Sequence, residues 1–554
     1  MQKLWHRPSL SCLFFGCLGV ALVGCDDTSG PLDGGSFDAG AARDGGALVD
    51  ANLGLDGAAP DAGPRPPRDG GPRPDAARPM SAGQVAVTVT ADRGTVSDLL
   101  LSVAVPFAPG VITEPSQIRL LEGDGSERAS NVDVLARWPA DGSIRSALMV
   151  FRTTLAGGAE ESLQIDYGAA RERTLADPVV ASPDADAVAL LDTAWLASSR
   201  VSGPLVPSDA NVRFAAFESE VTTRLSTMDP AFESYGVSCG GTSRHRTYYD
   251  SPHTLWLHYL RAATPSNYRR AREESTWYRA NELEWHEGRD LAVQICEADD
   301  WTPADKINWG VIRRMTGGGM LDDYLVTGDP AAREAVVAMG EAFVRSLPAQ
   351  RGGRENSLRV TERNLAWTLM GVAAYYAVEP TPEVRAALDS LVQEAIDWQG
   401  AGSSGAFEHD IVRPDPEECS DGPAGASPFM TSLLIDGLMD AYALTGEARI
   451  ADVVERSAQW FRDAAVTPSG DAFRYLWACN SNSYSDTSSE LNNLIVHVFG
   501  AAFEVTGDTA WLDVGDGFAD AGLRDIYVGR PKQWNQTVRG FARYVGYRAG
   551  GRMP

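Results

Sequence analysis

Six short stretches hold most of the chemistry available to this sequence: RHRTYYDSPH (244–253), ADKINW (304–309), TERNLAW (361–367), GASPFM (425–430), SSELNN (488–493) and QWNQT (533–537). Each heads a strongly apolar, helix-like run, and five of the six mix charged or amide groups with aromatics or hydroxyls. Amides and hydroxyls hydrogen-bond to sugar hydroxyls, and aromatic faces stack on sugar C–H faces, so the pattern points to a glycan. For catalysis the candidates are His253, Tyr248, Tyr249, Arg363 and Asn364. A helix N-terminus lowers the pKa of His253 and favours the neutral base. Tyrosine, with a reference pKa of about 10, serves as an acid. Arg363 and Asn364 are suited to neutralising a substrate carboxylate, and capping does not account for them. Substrate-binding candidates are Arg246, Asp250, Lys306, Asn308, Trp309, Glu362, Trp367, Glu490 and Asn493, with Glu408 and His409 from the loop segment GAFEHD. A structural role competes for the carboxylates. Glu362 follows Thr361, Glu490 follows Ser488 and Ser489, and Asp250 precedes Pro252, all places where a helix N-terminus favours a cap or an acid. His258 and His497, each alone in an apolar run, are read as core residues. The Asp322-Asp323 pair in MTGGGMLDDY is read as structural, and the glycines before it as close packing or a break lining a cavity.

These stretches recur because the elements carrying them recur. Apolar helices end near Thr264-Pro265, Thr327-Gly328-Asp329, Pro380-Thr381, Thr445-Gly446-Glu447 and Thr506-Gly507-Asp508, about 50 to 65 residues apart. After each break comes a one-sided helix, as in PEVRAALDSLVQEAIDW and ARIADVVERSAQWF. Gly or Pro followed by Asp, Glu or Ser stops one helix and caps the next. Apolar helices inside and amphipathic helices outside satisfy both faces. A sixth inner helix is read in QWNQTVRGFARYVGYRAGG, without an outer partner. The arrangement resembles the α/α toroid shared by many polysaccharide lyases and glycosidases. Parallel inner helices then place their starts on one mouth.

Ahead of the helices, QVAVTVTA, LLLSVAVPF, QIRLLEG, VDVLARW, IRSALMVF and SLQIDYG alternate as strands do. The stretch VPFAPGVITEPSQIRLLEGDGSERASNVDVLARWPADGSIRSALMVFR resembles the N-terminal β-barrel domain of the exo-rhamnogalacturonan lyase family. The likeness rests on the entry loop Pro106 to Gly110 and on Ala136-Arg137-Trp138-Pro139 followed by Asp141-Gly142-Ser143, with Ala140 inserted. Trp138 is read as a core anchor and Asp141-Gly142 as a hairpin turn. The expected class is α+β multidomain: a small N-terminal β-barrel or sandwich, then an α/α toroid of five to six helical hairpins. The domains are a lipoprotein signal (1–24), a disordered Asp/Gly/Ala/Pro linker (25–82), a β-barrel domain (83–172), a β-rich connector including VRFAAFESEVTTRLS (173–244) and the toroid (245–554).

Lys3, His6 and Arg7 precede an apolar run ending Leu22-Val23-Gly24-Cys25, which resembles a bacterial lipoprotein signal with Cys25 as the lipidated residue. The protein is therefore expected to be exported and held to a bacterial membrane by lipid alone. Cys239, Cys296, Cys419 and Cys479 remain. Three disulfide pairings are possible, and Cys239–Cys296 with Cys419–Cys479 is favoured because each closes a shorter loop. A net charge of −27 argues against nucleic acid as a partner. No metal or cofactor is expected; a structural or substrate-bridging Ca2+ is left open.

Three functions compete. The resemblances favour a polysaccharide lyase cleaving a uronate-containing glycan by β-elimination. Toroid lyases use Arg or Asn, His and Tyr for this, which would fall to Arg363 and Asn364, to His253, and to Tyr248 or Tyr249. A glycoside hydrolase needs two carboxyl groups about 5 to 9.5 Å apart, with Asp250, Glu362, Glu408 and Glu490 available. A glycan-binding lipoprotein needs neither.

Overall fold

The computed structural model describes residues 82–550 apart from 177–180, 229–245, 286–290, 296–299, 304–314, 353–356, 412–423 and 480–488. The signal, Cys25 and nearly all of the linker lie outside the described residues, as do Lys306, Asn308, Trp309, Cys239, Cys296 and Cys419. Cys479 is buried.

The chain opens with two antiparallel sheets that share one core. Alternation sets their faces: in β1 (Gly83–Thr90), Val85, Val87 and Val89 are buried, and Val85 pairs with Ile165 and Val87 with Leu163 of β7 (Glu160–Tyr167). One sheet also contains β3 (Ile118–Leu121), β4 (Glu127–Arg128) and β8 (Val188–Leu191), in the order β4-β3-β7-β1-β8. The other is β2 (Val96–Pro106), β6 (Ile144–Leu155) and β5 (Ser130–Arg137), with β6 central. The sheet region thus extends past residue 172, because β8 pairs with β1.

The connector departs from the sequence expectation. After β8 it is helical: α1 (Thr193–Ser198), capped by Asp192, and α2 (Ala215–Thr227). AAFESEVTTRLST contains enough β-branched residues to look strand-like, but Phe217, Val221 and Leu225 fall four apart and are its buried stripe. Tertiary packing decides the outcome. The Trp534 indole donates to the Val221 carbonyl at 3.1 Å, and Phe217 lies against Phe541 at 4.6 Å between ring centroids. Helix α2 is the outer partner that the C-terminal helix seemed to lack.

Helical pairs follow. Helices α3 (Ser251–Arg261), α5 (Gly318–Thr327), α7 (Glu362–Val378), α9 (Pro428–Thr445), α12 (His497–Thr506) and α14 (Pro531–Gly550) are the apolar set. Each packs on the next in that order, and α14 packs on α3. Their outer partners are α4 (Pro265–Asn281), α6 (Pro330–Gly352), α8 (Pro382–Ala401), α10 (Arg449–Asp463) and α13 (Ala510–Arg524). The short α11 (Asn492–Ile495) leads into α12. Turn chemistry ends each element as its residues dictate. Gly328, Gly446 and Gly507 adopt φ of 73°, 65° and 77° at helix C-termini, and the Asp329 and Asp508 carboxylates accept the backbone N–H groups that open the next helices, both at 2.9 Å. A small sheet of β9 (Leu283–Trp285), β10 (Leu291–Ile295) and β11 (Asp300–Pro303) intervenes between α4 and α5. The described helix begins at Gly318, and ADKINW (304–309) lies outside the described residues.

The glycines before α5 have a packing reason. A Cβ on Gly319 would lie 2.4 Å from Pro252 Cβ and 2.5 Å from the His253 nitrogen. Gly319 N–H instead donates to Asp250 at 3.1 Å. The starts of α3 and α5 touch only because no side chain separates them. Gly319→Ala is expected to destabilise the fold by about 1–3 kcal/mol, the usual range for overpacking. Chemical denaturation would measure this, and an unchanged midpoint would contradict the close-approach argument.

The sheets cover the C-terminal end of α5. Ser146 donates to the Leu325 carbonyl at 2.6 Å, and Tyr324 to that of Leu135 at 2.9 Å. Two buried carboxylates, Asp323 and Asp329, hold Arg272 and Arg279 beside it at 2.6 to 2.9 Å.

Candidate functional site

Several helix starts meet at one place. The Arg363 guanidinium donates to the Tyr248 hydroxyl at 3.5 Å, and the Lys532 ammonium lies 5.4 Å from the centre of the Tyr248 ring. Burial raises the Glu490 pKa, opposed by the charge of Lys532. Tyr249 and Asp250 both hold positive φ, 63° and 65°, a sparse conformation for residues other than glycine. The Asp250 carboxylate caps α3 through the His253 N–H at 3.3 Å.

Other candidates have structural partners. Asn364 donates to the Ser357 carbonyl at 2.8 Å, pinning the approach to α7. Glu362 is fully buried and accepts from Ser427 N–H at 2.8 Å and Thr431 at 3.2 Å, so it caps α9, the neighbouring helix. His409 Nδ1 lies 3.4 Å from Glu362, whose pKa burial raises and His409 opposes. Glu408 accepts from Ser404 at 2.7 Å. Arg246 pairs with Glu274 at 2.7 Å and stacks 3.4 Å from the centre of the Trp277 ring. Asn493 donates to the Gly522 carbonyl at 3.0 Å. His258 is buried, which lowers its pKa to about 3. His497 sits between the Leu494 and Ser432 carbonyls at 2.8 and 3.1 Å.

A cavity of about 70 Å3, open on one side, lies inside the helix set and reaches the sheets. Inner helices line it from the start of α3 to the last turns of α9 and α12, and Trp138 and Arg145 of the sheet domain complete its wall. Of the catalytic candidates read from the sequence, His253 faces it. His253 Nδ1 is 2.6 Å from Asp322 Oδ2, the other Asp322 oxygen accepts from Ser202, and Nε2 has no hydrogen-bond partner among the described residues. Asp322 therefore fixes the ring through Nδ1 and leaves Nε2 as the nitrogen without a partner among the described residues.

Opposite stands a ladder of charges that sequence reasoning missed. On α9, Asp436 and Asp440 are four residues apart and share a side. On α14, Arg539 and Arg543 have the same spacing. Arg539 donates to Asp436 at 2.9 Å, and Arg543 contacts Asp436 and, at 3.2 Å, Asp440. The two carboxyls are driven apart. For Asp436 burial favours the neutral acid, but Arg543 and Arg539 outweigh it and hold the pKa at about 2. For Asp440 burial raises the pKa, Arg543 opposes this, and the charge on Asp436 raises it further. Asp440 faces the cavity with its side chain 33 % exposed, whereas Asp436 is 1 % exposed. Trp367 backs the ladder, its ring centre 5.1 Å from the Arg539 guanidinium carbon. Two neighbouring carboxyls whose pKa values are pulled in opposite directions suit the division of labour that an acid-catalysed bond cleavage needs.

Among the described residues no group of three or more His, Cys, Asp or Glu is arranged to hold a metal, and no helix is long and apolar enough to cross a membrane.

A partly open, carboxylate-bearing cavity between facing helices is the kind of place where a small-molecule ligand binds. A family comparison names a glycosidase domain. Residues 336–537 match the family described as beta-L-arabinofuranosidase, GH127 catalytic domain. The match runs from within α6 to within α14 and includes Asp436, Asp440 and Glu504. Two solved structures are similar: a sugar epimerase from a ruminal bacterium, at 12% identity over 60% of this chain and 99% of that one with a TM-score of 0.42, and cellobiose 2-epimerase from Spirochaeta thermophila, at 12% identity over 61% and 99% with a TM-score of 0.39. No curated protein matches. The glycosidase match overturns the expectation of a lyase, and the helical part is similar to a glycosidase domain rather than to the rhamnogalacturonan lyase family.

Proposed function

We propose that this protein is a glycoside hydrolase whose helical domain is an α/α toroid and whose cavity takes the end or branch of an oligosaccharide or polysaccharide. The observation that carries the reading is the Asp436–Asp440 pair, inside the segment similar to a glycosidase catalytic domain: Arg543 and Arg539 pull the Asp436 pKa down, while burial and the Asp436 charge push that of Asp440 up. Asp440 is the general acid that protonates the glycosidic oxygen as the bond breaks. His253 Nε2, with Asp322 behind its other nitrogen, accepts the proton of the attacking water. Asp436 stays ionised and orients Arg539 and Arg543. The N-terminal pattern ending at Cys25 supports an exported protein anchored by lipid.

The test is a panel of aryl glycosides and plant and bacterial oligosaccharides. The expected result is new reducing ends or released aglycone without the ultraviolet absorbance of an unsaturated uronate. Unsaturated products, or no turnover of any glycoside by a protein that still binds sugars, would reject the hydrolase reading.

A further inference from the structure

The ARWPADGS motif of the sheet domain takes part in the cavity. Strand β5 ends at Arg137 and β6 begins at Ile144, so the hairpin between them carries Trp138 at one end and Arg145 just past the other. The turn is rigid. Gly142 adopts φ 73°, its N–H donates to the Trp138 carbonyl at 2.8 Å, and Asp141 accepts from the Ser143 hydroxyl at 2.7 Å and the Ser143 N–H at 2.9 Å. The Trp138 indole donates to the Phe107 carbonyl at 2.9 Å, which fixes the ring. The Arg145 guanidinium lies on that ring, 4.6 Å from its centre, and one nitrogen donates to the Val201 carbonyl at 2.7 Å.

Arg145 differs from the other arginines of the wall. Arg200 pairs with Glu504, and Arg539 and Arg543 pair with Asp436. Arg145 has no carboxylate within ion-pair distance among the described residues, and its Nε and Nη1 have no hydrogen-bond partner. It is 7 % exposed. Burial drives its pKa down to about 10, only partly offset by the more distant Asp322 and Asp440. A buried, desolvated guanidinium without a counter-ion is costly unless something supplies the charge. A protein with net charge −27 has here placed arginine against a cavity wall where apolar residues would pack more cheaply.

From this geometry we infer that Trp138 and Arg145 form a subsite for an anionic substituent, carboxylate or sulfate, on the sugar bound in the cavity. The inference rests on the reading of the cavity as the glycan site. The Trp138 ring holds the guanidinium plane, and the planar fork offers its remaining N–H groups to two oxygens of the anion at once. The sheet domain is then a specificity element of the enzyme, and a helical domain alone would lack it.

The experiment is calorimetric titration of the full mature chain with D-glucuronate, D-galacturonate, galactose 6-sulfate, D-galactose and D-glucose. Anionic sugars are expected to bind more tightly than the neutral ones, with the uronates and the sulfated sugar separating the two anion types. Arg145→Gln is expected to lower the ratio of anionic to neutral affinity about tenfold or more, the scale of a hydrogen bond to a charged group. Arg145→Lys, which keeps the charge but not the fork, retains part of the preference and serves if the Gln variant does not fold. Neutral sugars binding wild-type protein as tightly as anionic ones, or a folded Gln variant with an unchanged ratio, would overturn the inference. Binding is read without turnover, so the two readings fail separately. Anionic sugars that bind through Arg145 with no glycoside cleaved would sink the hydrolase and leave the subsite, whereas cleavage of neutral glycosides with an unchanged ratio would do the reverse.

Discussion

Asp440→Asn is expected to lower kcat for glycoside hydrolysis by about 10²- to 10⁴-fold, the usual contribution of a positioned general acid. Asparagine keeps the shape and the hydrogen-bonding reach to Arg543 but has no proton to give the leaving oxygen. The loss should therefore depend on the leaving group. Alkyl glycosides and natural oligosaccharides should show all of it, and aryl glycosides that leave as stabilised phenolates should show much less. The pH dependence carries a second signature. Burial and the neighbouring Asp436 charge, against the opposing charge of Arg543, raise the Asp440 pKa from its ordinary value. The protonated, active form therefore persists to higher pH, and activity falls as pH rises through that raised value. In Asp440→Asn this falling limb should vanish from the profile of kcat/KM against pH, because the group that titrates is gone. Activity within about threefold of wild type on a poor leaving group would be smaller than any general-acid effect and would remove Asp440 from the mechanism.

That residue was within reach of sequence reasoning. The helix PFMTSLLIDGLMDAYALT carries two acids and no base, four residues apart, in a segment too apolar to show a surface. VRGFARY in α14 shows the same spacing in arginine. Charges at i and i+4 on a buried helix require partners of opposite sign at matching height, and each segment supplied the other's. Attention to helix starts passed over them, because polarity concentrated at an end is easier to see than one pair inside. The inner and outer helix alternation was legible because Thr-Gly-Asp turns and one-sided stripes are local signals. Helix α2 was not, since its stripe of Phe217, Val221 and Leu225 is short and only Trp534 and Phe541, more than 300 residues on, give it a surface to cover. Asp322 and Asp323 illustrate the limit. Adjacent residues on a helix point about 100° apart, so one faces His253 and the cavity while the other pairs with Arg272 and Arg279. The sequence alone cannot say which. TERNLAW divides in the same way: Glu362 caps the next helix, Asn364 pins a loop, and Arg363 reaches Tyr248.

Asp436→Ala is expected to be the most destabilising single change in the cavity wall, by about 3–5 kcal/mol, the range for removing one partner of a buried ion pair. Asp436 is 1 % exposed, and Arg539 and Arg543 are 2 % and 3 % exposed. Removing the carboxylate leaves two guanidinium groups in a dry interior with only Asp440, on the same helix, to answer them. The substitution would be read as a shift in the urea midpoint. Replacing the whole ladder together, with Asp436→Leu, Asp440→Asn, Arg539→Met and Arg543→Met, should cost less than the single change, because no charge is left without a partner. The pH dependence follows from the direction of the shift. The folded-state pKa is depressed to about 2 from an ordinary 3.8, so the ionised form is what the fold stabilises. Its contribution is complete above the unfolded value and is lost as pH falls through the folded one. Wild type and Asp436→Ala should therefore differ fully above pH of about 4 and converge between there and about pH 2. A difference below about 1 kcal/mol at neutral pH, the scale of an exposed pair, would mean that water reaches the ladder. The opposed protonation of Asp436 and Asp440, on which the acid role of Asp440 depends, would then lose its physical cause.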